Sequence, residues 1–235
     1  MNSSSPKPLH IGWCDHRAAS YAVQHWHYSK CMPSGRLTLF GVWETGKFVG
    51  SVMFGRGAIH NIGKPFGVTQ AEACELVRVA LRPHATPVSK ILAVCLRMLR
   101  QRNPGMRVVV SFADSSEGHH GGIYQAGGWT YIGSINRTNL LINGKRMHPR
   151  SVVAAYGTMA LPWLQKNIDA NARTVGGEAK HKYVMPLDSA MRTRVLAMAK
   201  AYPKRATSIG ADAPGHQPGE GGSQPTVALQ SLEEM

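Results

Sequence analysis

The sequence predicts a mixed α/β domain in which a central sheet is flanked by helices, and three observations support this fold class. Two alternating strand segments, 36–44 and 47–54, are joined by Thr45-Gly46, which is typical of a β-hairpin. A strand–turn–helix–strand unit runs from Leu76 to Phe112 and predicts a parallel strand pair with a crossover helix. The apolar run from Val108 to Ala113 is typical of a strand buried on both faces.

The other elements of the first half follow from local signals. Residues 9–13 alternate as a strand does, and Asp15 predicts the N-cap of a helix that ends near Trp26. Residues 73–81 predict a further strand. An apolar stripe at i, i+3 and i+4 predicts a helix from Val88 to about Arg102.

The second half is predicted from turn residues and caps. Asn143-Gly144 is a preferred hairpin turn between 139–142 and 145–147. Helices are expected at 150–156, at 160–170 and from Asp188 to about 201, and a basic strand at 180–186. We therefore expect a flexible N-terminus at 1–8, one folded domain at 9–202 and a disordered, Gly- and Pro-rich tail at 203–235.

The charge of the chain indicates a polyanionic partner. Its net charge is +14, from 27 Lys and Arg against 13 Asp and Glu. This excess favours nucleic acid first and an acidic membrane surface second. No apolar run is long enough to span a membrane, no secretion signal is visible, and the four cysteines form no Cys-x-x-Cys pair. We therefore expect a cytoplasmic protein without a membrane partner.

The segment from Arg107 to Gly133 is the most informative part of the chain. Asp114 ends a buried strand and faces a glycine-rich loop that carries His119 and His120, and Tyr124 follows it. Open α/β sheets place ligands at such strand ends. Asp114 could equally cap the next helix while the glycines only form turns, and the residues alone leave both interpretations open.

A second cluster, His25-Trp26-His27-Tyr28, lies at the predicted end of the first helix. It is either a partly buried aromatic helix end or a pocket wall that stacks on a base or binds a metal. Iron is a candidate at His25, His27, Tyr28 or His119, although their spacing matches no known metal motif.

The order of elements resembles the acyltransferase fold of the GCN5-related N-acetyltransferases. A closer resemblance is to the Mom proteins of Mu-like bacteriophages, a divergent branch of that superfamily. The matching motifs are His27-Tyr28-Ser29-Lys30, Glu75-Leu76-Val77-Arg78-Val79, Ser111-Phe112-Ala113-Asp114 and Gly121-Gly122-Ile123-Tyr124-Gln125-Ala126-Gly127-Gly128-Trp129-Thr130-Tyr131. They occur in the family's order and span most of 21–141.

The resemblance implies a GCN5-related acyltransferase-like catalytic domain at 9–202. It implies that the protein converts adenine in DNA to N6-(carbamoylmethyl)adenine, which protects phage DNA from host restriction. Asp114 and Tyr124 would be catalytic, and the expected substrate or donor contacts are Tyr28, Arg78, Ser89, His27 and Trp129. The target adenine would have to be flipped or unpaired. The expected DNA-binding residues are Lys30, Arg56, Arg137, Lys145, Arg146, Lys180 and Lys182.

The donor is the open point of this hypothesis. The added group has the atoms of a glycyl group, so an activated glycyl donor such as glycyl-tRNA is one candidate, with tRNA as a partner, and an acyl-CoA is another. The segment Arg82 to Ser89 lacks the glycines of the usual CoA phosphate loop.

Two alternative functions remain: an ordinary N-acyltransferase that acts on a protein or small-molecule amine, and a non-catalytic nucleic-acid-binding protein. The oligomeric state is open, with a homodimer as one option.

Overall fold

The computed structural model describes residues 8–57, 61–136, 138–177 and 179–203. The ten strands of this part of the chain are β1 Leu9–Trp13, β2 Leu37–Glu44, β3 Lys47–Gly55, β4 Ala73–Leu81, β5 Val108–Asp114, β6 Thr130–Ile135, β7 Thr138–Ile142, β8 Lys145–Met147, β9 Arg173–Gly176 and β10 Lys180–Pro186. The helices are α1 His16–Trp26, α2 Val88–Arg102, α3 Gly122–Ala126, α4 Pro149–Tyr156, α5 Leu161–Asn167 and α6 Ser189–Leu196.

Seven strands form the central sheet in the order β1-β2-β3-β4-β5-β10-β6. β4 and β5 run parallel, whereas the other neighbouring strands run antiparallel. The predicted fold class, a mixed α/β domain with a central sheet flanked by helices, is confirmed. β10 lies between β5 and β6, so the C-terminal part of the chain supplies the strand next to the β6 edge of the sheet.

The two faces of the sheet are covered differently. On the α2 face, the side covered by α2 and α3, one continuous core includes Leu92, Cys95 and Trp129. On the α1 face, the opposite side, there are two separate clusters. One surrounds α1 with Val23 and Met53, and the other surrounds α6 with Phe66, Met191 and Val195.

β4 and β5 separate partway along their length. Their pairing extends from Ala73 opposite Val108 to Glu75 opposite Val110 and then ends, although both strands continue. We call the region beyond these last paired residues the strand gap. In this region β4 and β5 share no ladder of backbone hydrogen bonds, so the backbone groups that face the gap need other partners, such as side chains, water or a ligand.

Residues 138–177 form a second, smaller unit between β6 and β10. Its three-stranded sheet has the order β8-β7-β9, and α4 and α5 pack on one side of it. Leu140, Ile142, Val152, Leu164 and Ala172 form its core. We call this unit the small lobe. β9 was not predicted, because its four residues, Arg-Thr-Val-Gly, give too short a pattern.

The local predictions are confirmed elsewhere with small differences in length. The Asp15 side chain accepts a hydrogen bond from the Ala18 amide and caps α1 as expected. α5 and α6 end earlier than predicted, at Asn167 and Leu196. Almost all of the expected flexible N-terminus and tail lies outside the described residues. None of the helices in the described ranges has the length and apolarity needed to cross a membrane.

Candidate active site

The C-terminal end of α1 brings His27 to the strand gap from the α1 face. His27 is buried, and its ring lies 4.3 Å from the ring of the exposed Tyr28. The Tyr28 ring in turn lies 5.6 Å from His119, edge to face, so the loop after β5 meets the end of α1. Two motifs that are about 90 residues apart in the sequence therefore form one wall.

The protonation state of His27 follows from its contacts. The Ser29 amide donates to Nδ1 at 3.1 Å, and because an amide can only donate, Nδ1 carries no hydrogen. The Ser29 hydroxyl also lies 2.8 Å from Nδ1. Burial, together with the smaller effect of the positive charge of Arg78, lowers the pKa of His27 to about 3. His27 is therefore a neutral imidazole with its hydrogen on Nε2.

β4 contributes Glu75 and Arg78 to the same side. Arg78 pairs with Met53, a member of the α1 cluster, which places Arg78 on the α1 face. Its Nη2 donates to the Cys31 carbonyl at 3.4 Å, while its buried Nε has no hydrogen-bond partner in the described part of the chain. Gly57 approaches Glu75 closely, and a Cβ there would collide with the Glu75 carboxylate.

Tyr124 reaches the strand gap from the α2 face. It is almost fully buried, with its ring 5.2 Å from Trp129 and 5.0 Å from Tyr183. The Ser111 hydroxyl lies 2.8 Å from the phenol oxygen of Tyr124. It also lies 3.0 Å from the Leu76 carbonyl, in the part of β4 that is no longer paired with β5. Burial raises the pKa of Tyr124 to about 12, with smaller contributions from Tyr28 and Glu75, so the phenol stays protonated at neutral pH.

Asp114 enters the site from the opposite side of β5. Successive side chains of a strand alternate, so Asp114 and Ser111, three residues apart, point to opposite faces. Asp114 is buried, and Lys180, its register partner on β10, places Nζ 3.3 Å from the carboxylate. The predicted pair of Asp114 and Tyr124 thus approaches the strand gap from two faces rather than from one.

The loop before α2 is held by an acidic side chain. The Glu44 carboxylate accepts hydrogen bonds from the amides of Ala85 and Thr86, both at 2.8 Å, and from the Thr86 hydroxyl at 2.5 Å. These bonds lower the pKa of Glu44. Backbone N–H groups at such a loop can hold a phosphate, but here a carboxylate of the protein itself occupies two of them. The predicted contact residue Ser89 follows in the first turn of α2.

Three of the predicted site residues have contacts within the protein that bear on their expected roles. Trp129 is fully buried against Tyr124, so in this structure its ring packs in the core and offers no exposed face to a base. Lys180 is paired with Asp114 and is not a free surface cation. Lys182 places Nζ 5.1 Å from the centre of the Phe66 ring, and burial lowers its pKa. Both lysines point to the α6 side because they are two residues apart on β10.

The other predicted DNA-binding residues are scattered. Lys30 is exposed and its Nζ donates to the His25 carbonyl at 2.9 Å. Arg56 is exposed just after β3, and Lys145 and Arg146 are exposed on β8 of the small lobe. Arg137 lies outside the described residues. Their contacts with DNA remain predictions.

His25 and His27, two candidate ligands of the expected iron site, lie in different surroundings. The exposed His25 stacks on Tyr21 at 4.0 Å and its Nδ1 lies 2.8 Å from the Tyr21 carbonyl, whereas His27 is buried with Ser29. Among the residues that the structure describes, no group of three or more His, Cys, Asp or Glu side chains could hold a metal ion.

Comparisons with known proteins place this chain in a family. The model of the Mom protein family matches residues 8–204. The chain belongs to the Mom protein family. The match spans the central sheet, the small lobe and all six helices described above. Among curated proteins, none shows significant similarity to it.

Two solved structures share part of the architecture. One is YncA from Salmonella typhimurium, which is provisionally described as an acetyltransferase and was solved with acetyl-CoA. It is 13% identical to this chain, with a TM-score of 0.46, and the match covers 78% of this chain and 96% of YncA. The other is from Acinetobacter baylyi, also provisionally described as an acetyltransferase, with 10% identity and a TM-score of 0.44, over 80% of this chain and 96% of that one. Both scores are below 0.5, so the family assignment rests on the Mom match alone.

Sequence reasoning missed three contributors to the site. Ser111 and Glu75 stood within the matching motifs but were given no role, although a polar residue within a buried strand is itself a signal of a functional or bonded group. Glu44 gave no signal, because its bonds to Ala85 and Thr86 span more than forty residues.

Proposed function

We propose that this protein modifies adenine in DNA to N6-(carbamoylmethyl)adenine and thereby protects the DNA from restriction. The proposal rests on the match to the Mom protein family and on the resemblance of its motifs. The single observation that carries it is the convergence of these motifs at the strand gap. His27, Tyr28 and Arg78 approach from the α1 face and Tyr124 from the α2 face, while Asp114 ends the neighbouring strand.

The chemistry we propose begins with an acyl transfer. The adenine N6 attacks the carbonyl of an activated glycyl group, forms the C–N bond and releases the donor's alcohol. The free glycyl amine then attacks C6 through a five-membered ring, and the bond from C6 to the original N6 breaks. That nitrogen leaves as the terminal amide, so the product is the carbamoylmethyl adduct and the second step is an isomerisation.

Each side chain has a role that its environment supports. Asp114 accepts the proton from the attacking amine. Tyr124 donates a proton to the leaving oxygen, which its protonated state at neutral pH permits. The neutral His27 offers Nε2–H to the developing oxyanion, and Arg78 contributes a fixed positive charge beside it. Tyr28, 46% exposed, offers a ring face for the extruded base.

The loop before α2 favours a donor without CoA. Glu44 occupies the amides of Ala85 and Thr86, which would otherwise face a pyrophosphate, and its negative charge repels one. A glycyl-tRNA donor matches both the chemistry above and the net charge of +14.

Mass spectrometry of deoxynucleosides tests this proposal. DNA from cells that express the protein, supplied with isotopically labelled glycine, should contain a labelled deoxyadenosine that is heavier by a C2H3NO unit. Asp114→Asn and Tyr124→Phe should abolish it, whereas Tyr131→Phe, which removes a phenol that bonds Ser134 outside the site, should retain it. Unmodified deoxyadenosine in the presence of folded, soluble protein would refute the proposal.

A further inference from the structure

The small lobe contains many more basic than acidic residues. Residues 138–177 contain five lysines and arginines, namely Lys145, Arg146, Arg150, Lys166 and Arg173, and one acidic residue, Asp169. The Asp169 carboxylate is used inside the lobe, where it accepts from the amides of Asn143 at 2.6 Å and Asn171 at 2.9 Å. With five basic side chains and one carboxylate, the segment keeps a formal net charge of +4.

The strand register places two of these arginines on one face of the small sheet. Leu141 of the central strand pairs with Arg146 on β8 and with Arg173 on β9. Residues that pair directly across strands point to the same side, so the three form a row. Their neighbours in the register, Leu140 and Ile142, are buried in the core beneath α4 and α5. The row therefore lies on the opposite side, away from the helices.

We call this side the outer face and define it by Asn139, Leu141, Arg146, Arg173 and Val175. Arg146 and Arg173 are exposed, and the other three are half-buried between them. The backbones that carry the two arginines are two strand spacings apart, about 10 Å. Two guanidinium groups at this spacing, on a sheet held by its own core, can each bind a phosphate bidentately.

The composition of the outer face favours a double-stranded ligand. Proteins that bind single strands supply aromatic rings on which bases stack, and none of the five residues is aromatic. Cations without stacking groups suit the continuous phosphate backbone of a duplex.

We propose that the outer face of the small lobe docks the phosphate backbone of duplex DNA through Arg146 and Arg173. The inference rests on the proposed function, since it makes this surface the holder of the substrate duplex. The strand gap then acts on the extruded base, so holding and chemistry belong to different parts of the chain.

Salt-dependent binding of a labelled DNA duplex to the full chain tests the inference. The double variant Arg146→Ala/Arg173→Ala should bind about 10- to 100-fold more weakly near 0.1 M salt. The slope of log K against log salt should fall by about 2, one unit for each lost phosphate contact. The control Arg97→Ala/Arg100→Ala removes the same charge from the exposed side of α2 and should leave the slope unchanged. The double variant Arg146→Lys/Arg173→Lys retains the charge and should retain the slope.

Several outcomes would overturn the inference. These are an unchanged slope in the alanine variant, an equal loss in the α2 control, or a loss restricted to tRNA while duplex binding persists. Deoxynucleoside mass spectrometry on the same variants separates this inference from the proposed function. Modified DNA with unaltered duplex affinity in the alanine variant refutes the outer face alone. Duplex binding that depends on the two arginines without any modification by the wild-type protein refutes the chemistry and supports the outer face.

Discussion

The Ser111 hydroxyl lies between the Tyr124 phenol at 2.8 Å and the Leu76 carbonyl at 3.0 Å. A serine hydroxyl has one hydrogen, and a carbonyl can only accept. When Ser111 donates to Leu76, the phenol must donate to Ser111 to keep the second hydrogen bond. When Ser111 donates to Tyr124 instead, the phenol hydrogen is released toward the strand gap. Ser111 thus determines where the Tyr124 proton points.

Ser111→Ala should slow adenine modification by about tenfold, because it removes the group that orients the Tyr124 proton. It should also lower the free energy of unfolding by about 1 kcal/mol, since a buried hydrogen bond is lost. The matched control is Ser51→Ala, which deletes another fully buried serine hydroxyl, on β3. Equal rates for the two variants, measured by deoxynucleoside mass spectrometry, would contradict the orienting role.

Lys180→Ala should destabilise the protein by about 1–3 kcal/mol, because it removes the cation 3.3 Å from the buried Asp114 carboxylate. Lys180→Arg keeps the charge and should recover most of this stability. Chemical denaturation of the two variants measures the difference. Equal loss of stability in both would show that the shape of the lysine matters rather than its charge.

His27 should make the fold sensitive to acid. Burial lowers its pKa from 6.5 to about 3, so the unfolded chain binds the proton more readily than the folded one. Above pH 6.5 both forms are neutral, and stability is unaffected. Between pH 6.5 and 3 stability should fall as pH falls, by at most about 1.4 kcal/mol per pH unit.

The matching experiment is denaturation over this pH range. His27→Gln should flatten the dependence, whereas His25→Gln, which changes an exposed histidine at the same helix end, should leave it as in the wild type. An unaltered pH dependence in the His27 variant would mean that other groups cause the acid sensitivity.

CoA and acetyl-CoA should not raise the melting temperature of the wild-type protein, because Glu44 occupies the amides of Ala85 and Thr86. A ligand that binds only the folded state stabilises it by an amount that rises with the logarithm of ligand concentration above Kd, so differential scanning fluorimetry with increasing CoA is a direct test. A rise of several degrees that grows with CoA concentration would show that CoA binds despite the carboxylate.

Trp129→Ala should cost about 3–5 kcal/mol, since it leaves a large cavity beside Tyr124 in the main core. Trp129→Phe, which keeps most of the ring volume, should cost less and retain adenine modification. Loss of modification in a fully stable Trp129→Phe protein would restore the idea that this ring contacts substrate.

Local features of this fold could be predicted from the sequence because their causes are local. Thr45-Gly46 adopts positive φ at both positions and forms the expected hairpin turn, and Asn143-Gly144 does the same in the small lobe. The caps at Asp15 and Asp188 and the apolar stripe of α2 depend on residues within a few positions of one another. The charge excess likewise needs only composition.

The motifs named His27, Tyr28, Arg78 and Tyr124 as members of one site, and the structure brings these residues together at the strand gap. Their roles in substrate binding and catalysis remain predictions. The sequence did not predict that Asp114 and Tyr124 approach from opposite faces of the sheet. That relationship depends on the alternation of β5 after its pairing with β4 has ended.

By itself, the sequence determined most of the helices and strands, the excess of positive charge and the family motifs. Tertiary structure alone decided that β10 enters the sheet between β5 and β6 and pairs Lys180 with Asp114, and that Glu44 occupies the loop before α2. It also decided that Arg146 and Arg173 flank Leu141. The physical reason is that these relationships join residues distant in the chain, and the free energy that selects them comes from burial and hydrogen bonding of the assembled sheet.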